Sequence, residues 1–112
     1  LISQLVLDNL IQPRAYNQLQ TYGAGITFAR TESLICAPET NHAIAAVIEE
    51  AEKAREEGRS KVILFNLSGH GLLDLTGYDA YLKGELSDYS LSEEEMKESL
   101  KVLDSLPQPM LK

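Results

Sequence analysis

The sequence holds a single cysteine, Cys36, among its 112 residues. One thiol cannot close an intrachain disulfide, which fits a reducing, cytoplasmic setting. Basic residues are scarce as well: ten Lys and Arg against seventeen Asp and Glu leave a net charge of −7. A duplex-binding module needs a concentrated basic face, so no nucleic-acid partner is expected. No apolar run approaches the roughly 20 residues that cross a bilayer, and no membrane partner is expected either. The chain lacks the basic, apolar and small-residue succession of a secretory signal, and it opens on Leu1-Ile2-Ser3 without an initiator Met. Internal repeats and low-complexity tracts are missing too.

What is present is ordinary globular composition, 44% hydrophobic and 24% charged, which argues against disorder and fits one domain at most. Residues 1–12 carry a mixed apolar pattern that suits a short helix or a packed loop. Pro13 suits the first turn of a helix near 14–31, whose apolar stripe is Ala15, Leu19, Tyr22, Ile26 and Ala29. Gly23 and Gly25 lie inside that helix at about 1 kcal/mol each relative to Ala, so close packing against a neighbour is the expected reason for them.

Leu34 to Ala37 is a short apolar run closed by Pro38, and it reads as a buried strand near 34–37. A helix near 40–57 follows, with Thr40 or Asn41 as its cap and Gly58 as its stop. Its apolar face is Ala43, Ile44, Val47, Ile48, Ala51 and Ala54, and its charged face includes Glu49 and Lys53 at pairing distance. Val62 to Phe65 is continuously apolar, as in a parallel strand covered on both faces, giving a strand near 61–67. Strand, helix and strand compose a right-handed βαβ crossover, and the expected fold class is therefore α/β. Tyr78 to Leu82 reads as a short helix. A last helix near 92–106 starts on a Ser92/Glu95 capping box with a Leu91/Met96 staple, buries Met96, Leu100 and Leu103, and ends at Pro107 and Pro109. Two short parallel strands do not make a stable sheet, so the domain is expected to be partial.

Ligands of open α/β sheets sit beyond the carboxyl ends of strands, which makes the turn Ser68-Gly69-His70-Gly71 the best candidate site. Asn66, Ser68 and His70 place a carboxamide, a hydroxyl and an imidazole there, and the glycines allow positive φ or close approach. A nucleophile elbow would need Gly at position 66, where this chain has Asn66. Glu39 and His42 share a spacing that could serve a metal, but two ligands fall short of the usual three or four, and no metal is expected. Glu39 is better suited to the positive end of the following helix.

Three stretches carry a family resemblance: Phe28-Ala29-Arg30-Thr31-Glu32, Ala37-Pro38-Glu39-Thr40-Asn41-His42-Ala43-Ile44, and Ile63-Leu64-Phe65-Asn66-Leu67-Ser68-Gly69-His70-Gly71. With Arg14-Ala15-Tyr16, Asp74-Leu75 and Tyr78-Asp79 around them, the chain resembles the C-terminal region of tryptophan synthase beta chains, in particular their second, more divergent class. The resemblance implies a fragment, 1–112, of a fold-type II pyridoxal-phosphate (PLP) enzyme, with no second domain in this chain. It implies that serine loses its hydroxyl and that indole takes its place, giving tryptophan. Ser68 then matches the hydroxyl at the cofactor's pyridine nitrogen, Gly69 adjoins it, and Glu32 matches a carboxylate near the same ring. His70 stands where the better-known class has Arg, Ser33 where a glycine is usual, and Cys36 also departs from the common residue.

The Schiff-base lysine and the phosphate-binding glycine loop of that family match nothing in this sequence. No catalytic residue is therefore expected in the chain itself, and the fragment alone is expected to be inactive. The implied partners are serine, indole, the missing N-terminal part of the same protein, a second copy in a homo-oligomer, and an alpha-type subunit. Two other readings are another fold-type II activity, such as threonine synthase or a serine dehydratase-like reaction, and a non-enzymatic α/β module for binding or oligomerisation.

Overall fold

Small side chains on one long helix decide how this chain packs. The structure, a computed structural model, describes residues 2–107. Among these residues five helices follow in order: α1 (Ile2–Leu7), α2 (Gln18–Glu32), α3 (Thr40–Glu56), α4 (Leu75–Leu82) and α5 (Glu93–Leu100). One-turn 3-10 segments at Gly71–Leu73 and Lys101–Ser105 precede α4 and follow α5. No helix among the described residues is long and apolar enough to cross a membrane.

α2 packs on both α3 and α4, using two different faces. Toward α3 it presents Thr21, Ala24 and Gly25, all buried. Gly25 is required there: a methyl group would lie 2.5 Å from Asn41 Oδ1 and 2.6 Å from its Cγ. Gly23 faces α4 in the same way, with Tyr81 Oη 2.9 Å from where a methyl group would sit. The helix runs unbroken through both glycines, so close approach rather than a kink accounts for them. The expected stripe of Tyr22, Ile26 and Ala29 turns toward α4, where Tyr22 meets Tyr78 edge-on at 5.1 Å. The helix starts at Gln18, not near residue 14, because Asn17 and Gln20 form a capping box and residues 12–17 are irregular. The core is Ala24, Cys36, Ile44 and Ala45, with Tyr16, Phe28, Ile48 and Phe65 packed around it.

α3 follows its expected span, and Gly58 at φ 63° ends it. Glu39 takes the N-cap position without a side-chain capping bond, and Thr40 and Asn41 begin the helix with their side chains engaged elsewhere. Ala51 is exposed, whereas Ile44, Ala45 and Ala54 are buried. Glu49 does not pair with Lys53; it accepts from Arg14 at 2.9 Å and from the Tyr16 hydroxyl at 2.6 Å. That contact with Glu49 is the main cause of a raised Tyr16 pKa. Glu50 pairs with Lys61, which holds its carboxyl below the usual value.

The expected α/β class and its βαβ crossover are wrong for this structure: the described residues contain helices and irregular segments, and no strand or sheet. Residues 34–37 and 61–67 are irregular. A strand exists only by sharing a ladder with a neighbour, and the described residues supply none to either segment. Val62 and Leu64 are consequently 97% and 94% exposed. Cys36 is buried, and Phe65 is held edge-on against Phe28 of α2 at 6.0 Å.

α5 keeps its capping box, with Ser92 N–H donating to Glu95 at 2.9 Å and Glu95 N–H to Ser92 at 3.2 Å. Its expected buried face is not buried: Met96, Leu100 and Leu103 are all about half exposed. Among the described residues, α5 packs on no element but its own 3-10 extension, and α1 packs on no other helix. The radius of gyration of 17.8 Å, against about 13 Å for a compact domain of this size, reflects these outlying helices. Pro109, expected to help end the last helix, lies outside the described residues.

Candidate functional site

The turn at 66–71 is anchored from two sides. Gly71 N–H donates to the Ile35 carbonyl at 2.8 Å, and a methyl group on Gly71 would lie 2.5 Å from the Cys36 carbonyl oxygen. Gly69 adopts φ 67°, a region that favours glycine, and a methyl group there would sit 2.9 Å from Ala37 Cβ. Both glycines are therefore needed to seat the turn against residues 35–37.

Thr40 supplies the second anchor. Its side chain is in the buried first turn of α3, and its hydroxyl donates to the Ser68 carbonyl. The same oxygen accepts from Ser68 N–H at 3.3 Å and stands 3.1 Å from Ser68 Oγ. The backbone amides of Thr40, Asn41 and His42 are bonded to the carbonyls of Ala37, Pro38 and Glu39, so the Thr40 hydroxyl is not needed for capping.

Next along the helix, Asn41 is fully buried and its amide donates to the Tyr78 hydroxyl at 2.8 Å. Tyr78 in turn donates to the Cys36 carbonyl at 2.6 Å. Burial raises the Tyr78 phenol and the Cys36 thiol above their ordinary pKa values. Both stay neutral at physiological pH, and neither is an activated nucleophile.

Of the expected site residues, Ser68 and Gly69 share this anchored turn, and Ser68 is exposed on it. His70 points back into the chain: its Nδ1 accepts from Leu72 N–H at 3.3 Å and caps the 3-10 turn. Asn66 makes no hydrogen bond with Ser68 or His70 among the described residues. Glu32 is the exposed last residue of α2, one helical turn beyond Phe28, and among the described residues it has no ion-pair partner. Glu39, His42 and His70 do not form a cluster: the described residues contain no group of three acidic, His or Cys side chains able to hold a metal. Thr40, Asn41 and Tyr78 were not expected as site-building residues. The available signal was the pair Thr40-Asn41, which the sequence pattern assigns to helix capping.

No protein-family model matches the chain. Individual proteins do. The tryptophan synthase beta chain of Thermococcus gammatolerans is 56% identical over 88 residues, which is 79% of this chain and 20% of that protein. This chain is homologous to a segment of tryptophan synthase beta chains. The beta chain 2 of Aquifex aeolicus is 53% identical over 88 residues, and that of Aeropyrum pernix 51% over 92 residues, or 82% of this chain. The chain spans about a fifth of the length of the curated relatives it matches. The expected resemblance to this family is therefore real at the level of sequence, whereas the expected strands are not found among the described residues.

Proposed function

We propose that this chain is the part of a PLP-dependent tryptophan synthase of the beta type that faces the pyridine ring of the cofactor. The substrates would be serine and indole, and the product tryptophan. The observation that carries the reading is Ser68: a neutral, exposed hydroxyl on a turn seated by two glycines and tied to a buried helix start. A neutral hydroxyl suits a pyridine nitrogen, since it hydrogen-bonds that atom without holding it protonated as a carboxylate would. When bound, PLP supplies an electron sink that lets the serine hydroxyl leave and a nucleophile enter in its place. Ser68 would orient the ring at its nitrogen and limit the strength of that sink. Gly69 would keep the turn low enough for the ring to approach. Glu32, unpaired among the described residues and one turn from the Phe28 contact with Phe65, is the carboxylate this reading assigns beside the ring.

The covalent lysine would lie in another part of the full-length protein. Within the described residues Lys61, Lys83, Lys97 and Lys101 are each engaged with a surface carboxylate. The segment alone would then be inactive, working in the cytoplasm as part of a larger, homo-oligomeric enzyme, with an alpha-type subunit as a further partner.

The test is Ser68→Ala in a full-length beta chain carrying this segment, read by titrating the apo-protein with PLP and by the rate of tryptophan formation. Losing one net hydrogen bond should weaken PLP binding about three- to tenfold and leave the reaction slower but present. Unchanged cofactor affinity and unchanged rate would remove Ser68 from the ring.

A further inference from the structure

We infer that Thr40 is a positioning residue for Ser68, and that its buried hydroxyl fixes where the Ser68 oxygen stands while leaving the Ser68 proton free to turn outward. The inference rests on the assignment of Ser68 to the ring nitrogen and adds the residue that prepares it. Three contacts converge on one atom. Thr40 Oγ1 carries a single proton, and the Ser68 carbonyl takes it. Its lone pairs then face the Ser68 amide at 3.3 Å and the Ser68 hydroxyl at 3.1 Å. With the Thr40 proton engaged there, the Ser68 hydroxyl keeps its own proton, which rests on Thr40 or turns outward to an acceptor. Ser68 therefore offers a donor to an unprotonated ring nitrogen by turning its proton away from Thr40, from an oxygen whose place is held through the two backbone contacts with Thr40.

Two further features make Thr40 suited to this. It is only 3% exposed, so water does not compete for the hydroxyl. Its β-branched side chain has few rotamers, and its backbone is fixed in the first turn of α3 by the bond from its amide to the Ala37 carbonyl at 2.9 Å. A bystander threonine capping its own helix would bond back to the first-turn amides; this one bonds forward across 28 residues to the turn.

The experiment uses a full-length beta chain carrying this segment and four variants: Thr40→Val, Thr40→Ser, Ser68→Ala and the Thr40→Val/Ser68→Ala double. PLP affinity of the apo-proteins, amide hydrogen exchange at Ser68, and thermal unfolding are measured for each. Thr40→Val should weaken PLP by about the factor seen for Ser68→Ala, some three- to tenfold, and should speed exchange at Ser68. Thr40→Ser should restore both, and the double variant should bind no more weakly than Ser68→Ala alone, since both changes remove one interaction. Effects that multiply in the double variant, or a Thr40→Ser that fails to restore affinity while melting normally, would overturn the inference. If Ser68→Ala leaves PLP affinity untouched, the ring-nitrogen assignment fails, and this inference with it as far as the cofactor is concerned. Faster Ser68 exchange in Thr40→Val alone would then separate a surviving Thr40 contact from a failed cofactor assignment.

Discussion

Adding one methyl group at Gly25 tests the packing on which the site depends. In an open helix, Gly→Ala gains about 1 kcal/mol. At Gly25 the new Cβ would lie 2.5 to 2.6 Å from Oδ1 and Cγ of Asn41, whose side chain is fully buried and cannot swing into solvent. Either α2 and α3 separate or Asn41 leaves its hydrogen bond with Tyr78. Overpacking costs about 1–3 kcal/mol, and losing the bond about 1 kcal/mol more. Set against the helical gain, Gly25→Ala should destabilise by about 1–3 kcal/mol. Gly23→Ala is the control, because its Cβ would meet only the far end of Tyr81, 2.9 Å away. That hydroxyl can move aside, so the variant should be neutral or gain up to about 1 kcal/mol. Urea unfolding followed by circular dichroism measures both. A Gly25→Ala protein as stable as Gly23→Ala would refute the close approach of α2 and α3, and with it the placement of Asn41.

Two other outcomes follow from hydrogen bonds in the core and at the start of α5. Tyr78→Phe removes the hydroxyl that serves both Asn41 and the Cys36 carbonyl, and should cost about 1–3 kcal/mol in the same unfolding assay, since it strands a fully buried amide. At α5, hydrogen bonds from the Ser92 backbone and then its side chain hold the Glu95 carboxyl below its ordinary pKa. A lowered carboxyl pKa stabilises above the unfolded value and is lost as pH falls through the folded one. Carbon chemical shifts over residues 92–100 should therefore lose helical character in acid, and Glu95→Gln should flatten that pH dependence. An acid-insensitive α5 in the unaltered chain would show that the capping box is not formed.

Where local chemistry alone decides an element, the sequence was readable. The periodic apolar residues of α3 with Gly58 behind them, and Ser92 with Glu95 three residues later, need nothing beyond their neighbours. The unusual backbone of the turn at Gly69 and Gly71 was also legible, because glycines around a polar hydroxyl announce such a backbone wherever they sit. Residues 61–67 failed for the opposite reason. An apolar, β-prone run states a preference for cover and for ladder partners, but the partners must come from elsewhere, and the described residues provide none. The same holds for Met96 and Leu100, whose spacing marks a face without providing anything to cover it. The face of α2 was misjudged because Thr21, Ala24 and Gly25 carry little hydrophobic signal, although small residues are what allow α3 to approach.

Thr40 and Asn41 are neighbours at the start of α3, and each reaches a different part of the chain: Ser68 in one case, Tyr78 in the other. Successive residues on a helix point about 100° apart around its axis. Two such bonds act as two pins set at different angles in one rod. Either alone would let α3 roll about its length, trading one carbonyl or hydroxyl for the next. Together they leave it a single azimuth, so the roll angle of α3 and the height of the Ser68 turn are set by the same pair of consecutive side chains.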